Sequence, residues 1–479
     1  MSNSRSTGIS QRFIAADDDG LASMEWRAFA LSQNLRPGET MPEYVARGAE
    51  TIGGNVDQIA RLASNSDAFD VLELLRMYES PHSLNGYRES VNQKLPAAVE
   101  LVALVLLGRG RRVTSAFRAP DVNPGEFTPK LHRLADELIK LGQLQLITDG
   151  RSDKHGPLTQ LASTYVNHSV STRSMQFEHI SDCRLADLFS SVHLGSVLLD
   201  VLGFTYEDFR SVREAIQVLR TQRLNAERDA AIRARDLDPE GSSLESAIQA
   251  KDLAAPIMRL LVRPGNRACF TVADLAKRVT VPEERISRIL ATFSVTMSGN
   301  LDPVAEVKKF LTGSGQFRNA ALVDDGNGNF ITLNVPIGTD CFQRVAETHI
   351  KPHQKLWKRY LGRRTQVSEQ LALNYVSTLL EQPQYEANLK YFRPDPDVDP
   401  ALLGPGALDP SAFGDPAESD GLFIIEDVAI CVEVKGGRVS DQARGGGVKR
   451  LSADLRETVG KATDQALRLE NLIRENGGL

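Results

Sequence analysis

Over the first half of the chain, apolar residues recur at three- and four-residue intervals, the period of helices and not of strands. Residues 43–62 and 70–78 carry this pattern, and residues 95–107 are apolar enough to form a core helix. The pair Gly53-Gly54 falls inside the first of these and weakens it. After a Pro/Asn/Gly stretch at 119–125, the pattern predicts a helix over 129–141, a short strand over 144–147 and a turn at Asp149-Gly150. Residues 206–235 form one long charge-rich helix whose mixed signs favour a solvated connector over a nucleic-acid surface, and 238–243 has the composition of a linker.

The pattern then changes. Thr271 is a natural cap for a short helix over 270–279, and Pro282 opens a second helix over 283–293 with Ile286, Ile289 and Leu290 on one face. Residues 320–333 read as a hairpin with a Gly/Asn/Asp-rich tip. Helix, tight turn, helix and hairpin together predict a winged-helix domain, and a smaller such unit is a candidate within 114–245. A helix of this kind can enter a major groove, which makes Arg285 and Arg288 candidate nucleic-acid contacts, or it can serve protein docking. The expected organisation is α+β and multidomain: a helical region over 1–113, helical with a long charged helix over 114–245, winged-helix-like over 246–348, and a last domain over 349–479.

Composition constrains the rest. With 41% hydrophobic and 25% charged residues the chain is globular, and 62 acidic against 56 basic side chains (net −6) provide no global field for a polyanion. Cys183, Cys269, Cys341 and Cys431 are too scattered for a disulfide framework or a zinc site, and no run spans a bilayer, so a cytoplasmic protein without membrane partners is expected. His349 and His353 form the one close histidine pair, but Pro352 disfavours a shared helix. No phosphate-binding Gly-rich loop is present.

The chemistry lies near the C-terminus. Two β-rich runs, 422–425 and 428–434, flank the polar pair Glu426-Asp427, which predicts a hairpin pairing Ile425 with Val428. Counting outward puts Asp420 opposite Glu433, with Lys435 on the same face. Opposed carboxylates repel, and a divalent cation between them is the natural resolution; oxygen-only ligands suit Mg²⁺ or Mn²⁺. Upstream, Glu369 shares a helix face with Leu373, Val376 and Leu380, which leans it toward the sheet; a bare charge at a helix start is the alternative. Residues 387–392 supply a further strand.

Asp420 followed by Glu433-Val434-Lys435 at the end of an apolar strand resembles the signature of the restriction-endonuclease-like PD-(D/E)xK nuclease superfamily, Mrr-like or nuclease-related branch, over about residue 366 onward. The resemblance implies an α/β domain with a mixed central sheet flanked by helices. It also implies Mg²⁺-dependent phosphodiester hydrolysis, with DNA favoured over RNA. Glu369, Asp420 and Glu433 would be metal ligands together with the Val434 carbonyl, Lys435 the catalytic lysine, and Gln465 a supporting residue on a helix over 452–474 capped by Ser452. In that helix Leu455, Val459, Ala462, Ala466, Leu469 and Ile473 form the expected buried stripe; a merely solvated Gln465 is the alternative. The superfamily core expects a strand after this helix, yet the sequence ends at Leu479, so the last strand is either supplied elsewhere or, the favoured reading, missing from a fragment. By analogy, a role in restriction or anti-phage defence follows, with partner proteins or a homodimer for cutting both strands. The competing readings are a non-enzymatic winged-helix DNA-binding protein with an inactive nuclease-like domain, and a scaffold with a buried Glu433–Lys435 pair.

Overall fold

A computed structural model describes residues 39–79, 97–113, 124–149, 157–172, 178–189, 191–236, 255–256, 258–333, 337–381, 384–394, 414–437 and 439–476. Trp26, His82, His155, the 238–243 linker, most of the proline-rich stretch after Arg393 and the last three residues lie outside these. The chain is mixed α+β, mostly helical with two small sheets. It divides into two compact units: residues 1–178, 202–346 and 444–448, and residues 179–201, 347–443 and 449–479. Among the described residues no single helix is long and apolar enough to cross a membrane.

The first unit is built on helices α1 (Met41–Ala63), α2 (Ala68–Glu79), α3 (Ala97–Leu107) and α4 (Pro124–Asp149). A capping box fixes the start of α1, where the Thr40 N–H donates to Glu43 at 2.7 Å. The helix runs through Gly53 and Gly54 unbroken. Every residue of α3 is buried, Glu100 included, against Ile52, Ile59, Phe69, Leu72 and Leu131 in one core. Expectation and structure part at residues 144–147, which form no strand but continue α4. Leu and Gln are good helix formers and only Ile147 is β-branched there, so propensity outweighs a two-residue alternation too short to pair.

Helix α5 (Pro157–Thr172) follows, and past α6 (Glu178–Phe189) and α7 (Val192–Leu202) the first unit resumes with α8 (Tyr206–Asp236). This helix is not the solvated connector its charges suggest. Phe209, Val212, Ile216, Leu219 and Leu224 are buried along it, and so is Arg220. Its length matches the sequence reading; its face does not, because the apolar stripe is diluted by long charged side chains that lie over their own surroundings.

After a short α9 (Gly265–Ala268) come α10 (Val272–Ala276), whose Thr271 cap accepts from the Asp274 N–H at 3.2 Å, and α11 (Glu283–Thr292), with Ile286, Ile289 and Leu290 all buried as expected. Strand β1 (Ser294–Thr296) pairs in parallel with β2 (Leu322–Asp324), which pairs antiparallel with β3 (Phe330–Thr332); α12 (Pro303–Leu311) lies between β1 and β2. The Gly/Asn/Asp-rich hairpin is therefore present, its tip held by Asp325 accepting from the Asn327 and Asn329 N–H groups.

Gly265 comes so close to α2 that a Cβ there would sit 2.6 Å from the Asp70 nitrogen, and its own N–H donates to Asp70 Oδ1 at 2.7 Å. Burial, aided by the nearby Asp67 charge, raises the Asp70 pKa from 3.8 to about 7, against the pull of Gly265, Arg112 and Arg263. A raised carboxyl stabilises the fold fully below its unfolded pKa, and that contribution is lost as pH rises from about 3.8 through about 7. Asp70→Asn should therefore be more stable than wild type at pH 8 and indistinguishable near pH 4. Chemical denaturation at the two pH values checks this; equal differences at both would refute it.

The second unit contains α14 (Gln354–Leu379), which begins just after α13 (Thr339–Ile350) ends, so Pro352 does separate His349 from His353. Its sheet has the order β4 (Glu386–Pro394), β5 (Gly414–Ile425), β6 (Val428–Val432), all antiparallel. After α15 (Asp441–Arg444), helix α16 (Val448–Leu455) passes through a π-helical turn (Arg456–Gly460) into α17 (Lys461–Asn476). Ser452 accordingly caps nothing: it sits inside α16. The π-turn also re-phases the apolar stripe, leaving Val459 exposed while Leu451 and Leu469 are buried.

Candidate functional site

The hairpin forms in the register that its apolar runs specify. Ile425 faces Val428 and the ladder continues to Gly421 opposite Val432, with Glu426 at φ 53° in the turn. The ladder ends one pair short of Asp420 and Glu433. There the backbone leaves the strand, and the Val434 N–H donates to Asp420 Oδ2 at 2.6 Å. Asp420 thus folds toward the Glu433-Val434-Lys435 segment and stitches it to β5.

Glu433 is the most enclosed group of the set, its side chain only 2% exposed. One oxygen, Oε2, faces Lys435 Nζ at 3.5 Å; the other, Oε1, is buried with no hydrogen-bond partner among the described residues. The adjacent Ser419 hydroxyl is buried and unpartnered too, so its approach to Glu433 stops short of a formed hydrogen bond. Burial raises the Glu433 pKa and the Asp420 charge raises it further, with Ser419 and Lys435 opposing.

Helix α14 brings the third carboxylate. Leu373 lies directly over Gly421, where a Cβ would stand 2.3 Å from the leucine Cδ2, so a larger residue there would force the leucine side chain to shift. One turn back, Glu369 is half-buried, and its pKa is raised by burial and then by the charges of Asp420, Glu418 and Glu433, with Lys435 opposing. Four acids, Glu369, Glu418, Asp420 and Glu433, and one lysine therefore share a single electrostatic neighbourhood. Among the described residues, however, no three His, Cys, Asp or Glu side chains converge tightly enough to form a ready metal cage.

Gln465 is half-buried on α17, a helix that packs on β5 and β6. The arginines proposed for a groove-reading helix are engaged within the first unit. Arg285 donates to Asp208 on α8 at 3.1 Å; Arg288 pairs with Glu284 at 3.2 Å and lies across Gly203. Residues 348–368 contain no acid and six lysines or arginines, immediately before Glu369, and the absence of acids over these 21 positions was the signal available.

Neither family models, nor curated proteins, nor solved structures offer a match to this chain.

The fit of a divalent cation can be judged from these atoms. All donors are oxygens, the kind Mg²⁺ and Mn²⁺ prefer, and one of them is a buried carboxylate oxygen that nothing satisfies. A buried charge in that condition costs stability until a partner arrives. Because the Glu433 pKa is raised, the metal-free protein should lose stability as pH climbs from 4.5 through the raised folded-state pKa, where the carboxyl is forced to ionise. Glu433→Gln should remove that loss. Mg²⁺ should raise the melting temperature of wild type and not of the variant; equal shifts in both would exclude Glu433 as a ligand.

Proposed function

We propose that the second unit is a metal-dependent nuclease that hydrolyses phosphodiester bonds, with DNA the favoured substrate. The observation that carries the reading is Glu433: a buried carboxylate with one orphaned oxygen, beside Asp420, within the field of Glu369 and in contact with Lys435. A sequence that concentrates four acids around one lysine without neutralising them breaks local consistency, and such breaks mark functional sites.

Glu433 and Asp420 would hold the cation, with Glu369 completing the acid set and the Val434 carbonyl a further ligand by the nuclease resemblance. Bound there, Mg²⁺ or Mn²⁺ supplies a water of lowered pKa and positive charge against a phosphate oxygen. The protein's part is positional. Asp420 fixes the backbone of Glu433-Val434-Lys435 through the Val434 N–H, which sets where the lysine emerges. Lys435, partly exposed, holds its ammonium where it can orient the attacking water or offset charge growing on the phosphate. Gln465 would support the site from α17.

The restriction-endonuclease-like identity rests on this constellation and on a helix followed by three strands and a helix. We read the helix-turn-helix and hairpin of the first unit as a winged helix used for docking and not for base reading, since Arg285 and Arg288 already have acidic partners. One observation favours a purely structural hairpin: Lys435 pairs with Glu433, and Asp420 has a backbone partner. It leaves Glu433 Oε1 and the raised pKa of Glu369 without purpose.

The test is cleavage of plasmid DNA and single-stranded RNA with Mg²⁺, Mn²⁺ or EDTA. Cutting that requires the metal supports the nuclease. A folded protein that binds Mg²⁺ at neither Asp420 nor Glu433 and cuts neither substrate sinks it in favour of the structural hairpin.

A further inference from the structure

The acid-free run before Glu369 is not a solvated helix of balanced charge. It holds six basic residues in a chain where acids outnumber bases, 62 to 56. Two are consumed internally: Arg363 donates to the Asp187 carbonyl, and Arg364 to Glu347, which also accepts from Tyr360. Lys355, Lys358 and Arg359 are exposed, and make no ion pair among the described residues. On a helix, residues 355, 358, 362, 366 and 369 recur at three- and four-residue spacing and fall along one side. That side is open midway, for a Cβ added at Gly362 meets nothing within 4 Å.

Resting on the nuclease reading, we propose that the N-terminal half of α14 is a track for the backbone of duplex DNA, leading to Glu369. At 1.5 Å rise per residue, Lys358 and Lys355 stand about 16 and 21 Å along the axis from Glu369. One strand of a duplex advances 3.4 Å per phosphate, so the track spans about five to six base pairs on one side of the scissile bond. Duplex is favoured over single strand by the state of the aromatic rings. Non-specific single-strand binding uses exposed rings on which bases stack. Here Tyr360 is fully buried, and Trp357 is stacked on it with centroids 5.3 Å apart. What remains outside is charge on a rigid helix, which fits a regular phosphate array and carries no base readout.

The experiment is fluorescence anisotropy of a short labelled DNA duplex against the full chain in EDTA, over a range of salt, with Mg²⁺-dependent cleavage measured in parallel. Lys355→Ala/Lys358→Ala/Arg359→Ala should weaken binding by about tenfold or more at low salt and flatten the log–log salt slope by about 2 to 3, one phosphate per cation. Gly362→Glu, which replaces glycine by a better helix former in open space, should weaken binding without loss of helical content. Wild-type affinity and slope in both track variants would overturn the track even if cleavage persists; so would a loss confined to single-stranded RNA. Binding that depends on the track, with no cleavage under any metal, would instead sink the nuclease reading and leave the track standing.

Discussion

Lys435→Ala should lower metal-dependent DNA cleavage by about 100- to 1,000-fold, the usual effect of removing one preorganised group that faces developing charge. The loss should fall on turnover and not on affinity if, as proposed, the phosphate backbone is held along α14 and not by Lys435. Glu433→Gln should abolish cleavage outright, because the amide keeps the shape of the side chain but not the charge that a cation requires. The two readings of the hairpin separate on stability. If Lys435 serves only to neutralise Glu433, its removal strands a buried carboxylate, the fold weakens, and added Mg²⁺ does not restore it. If Glu433 waits for a cation, Mg²⁺ restores the stability of Lys435→Ala while the activity stays low. Cleavage kinetics and melting temperature on the same preparations, with and without metal, decide between them; full activity in Lys435→Ala would refute its catalytic role.

How far the site could be read beforehand follows from the range of the interactions that build it. The β5–β6 register was legible because a two-residue turn between two apolar runs leaves only one pairing that keeps both runs aligned. Glu369 was legible from helical spacing. Neither periodicity nor motif could show that the ladder stops at Gly421 and Val432, or that Asp420 turns to the Val434 N–H, since these depend on the local course of the backbone after the strand ends. The π-turn at Arg456–Gly460 was invisible for the same reason: it preserves helical composition while shifting phase, so Val459 leaves the buried stripe that a regular helix would give it. In the first unit, Thr271 and the Ile286, Ile289, Leu290 face were short-range facts and were read correctly. The parallel pairing of β1 with β2 joins residues separated by α12, and three-residue strands give no pattern from which to infer it.

The long helix α8 shows the same limit at its largest energetic stake, and Glu73→Ala should expose it. Glu73 on α2 is fully buried and accepts from two guanidinium groups, from Arg220 of α8 at 2.7 Å and from Arg76 at 3.2 Å, both of them buried as well. By charge count alone, Arg220 is one more basic residue on a polar helix. In the fold it is an anchor that ties α8 to the α2 layer through the core. Removing the shared carboxylate leaves two buried cations without it, at a cost of about 3–5 kcal/mol, far more than an exposed pair would show. Replacing both ends with apolar groups of similar length, Glu73→Leu with Arg220→Met, should cost less than the two single changes added together, because only Arg76 then loses its carboxylate partner. Denaturant midpoints for the two single variants and the double variant measure the coupling. A single-variant cost below about 1 kcal/mol would mean that water reaches the pair, and that Arg220 does not anchor α8.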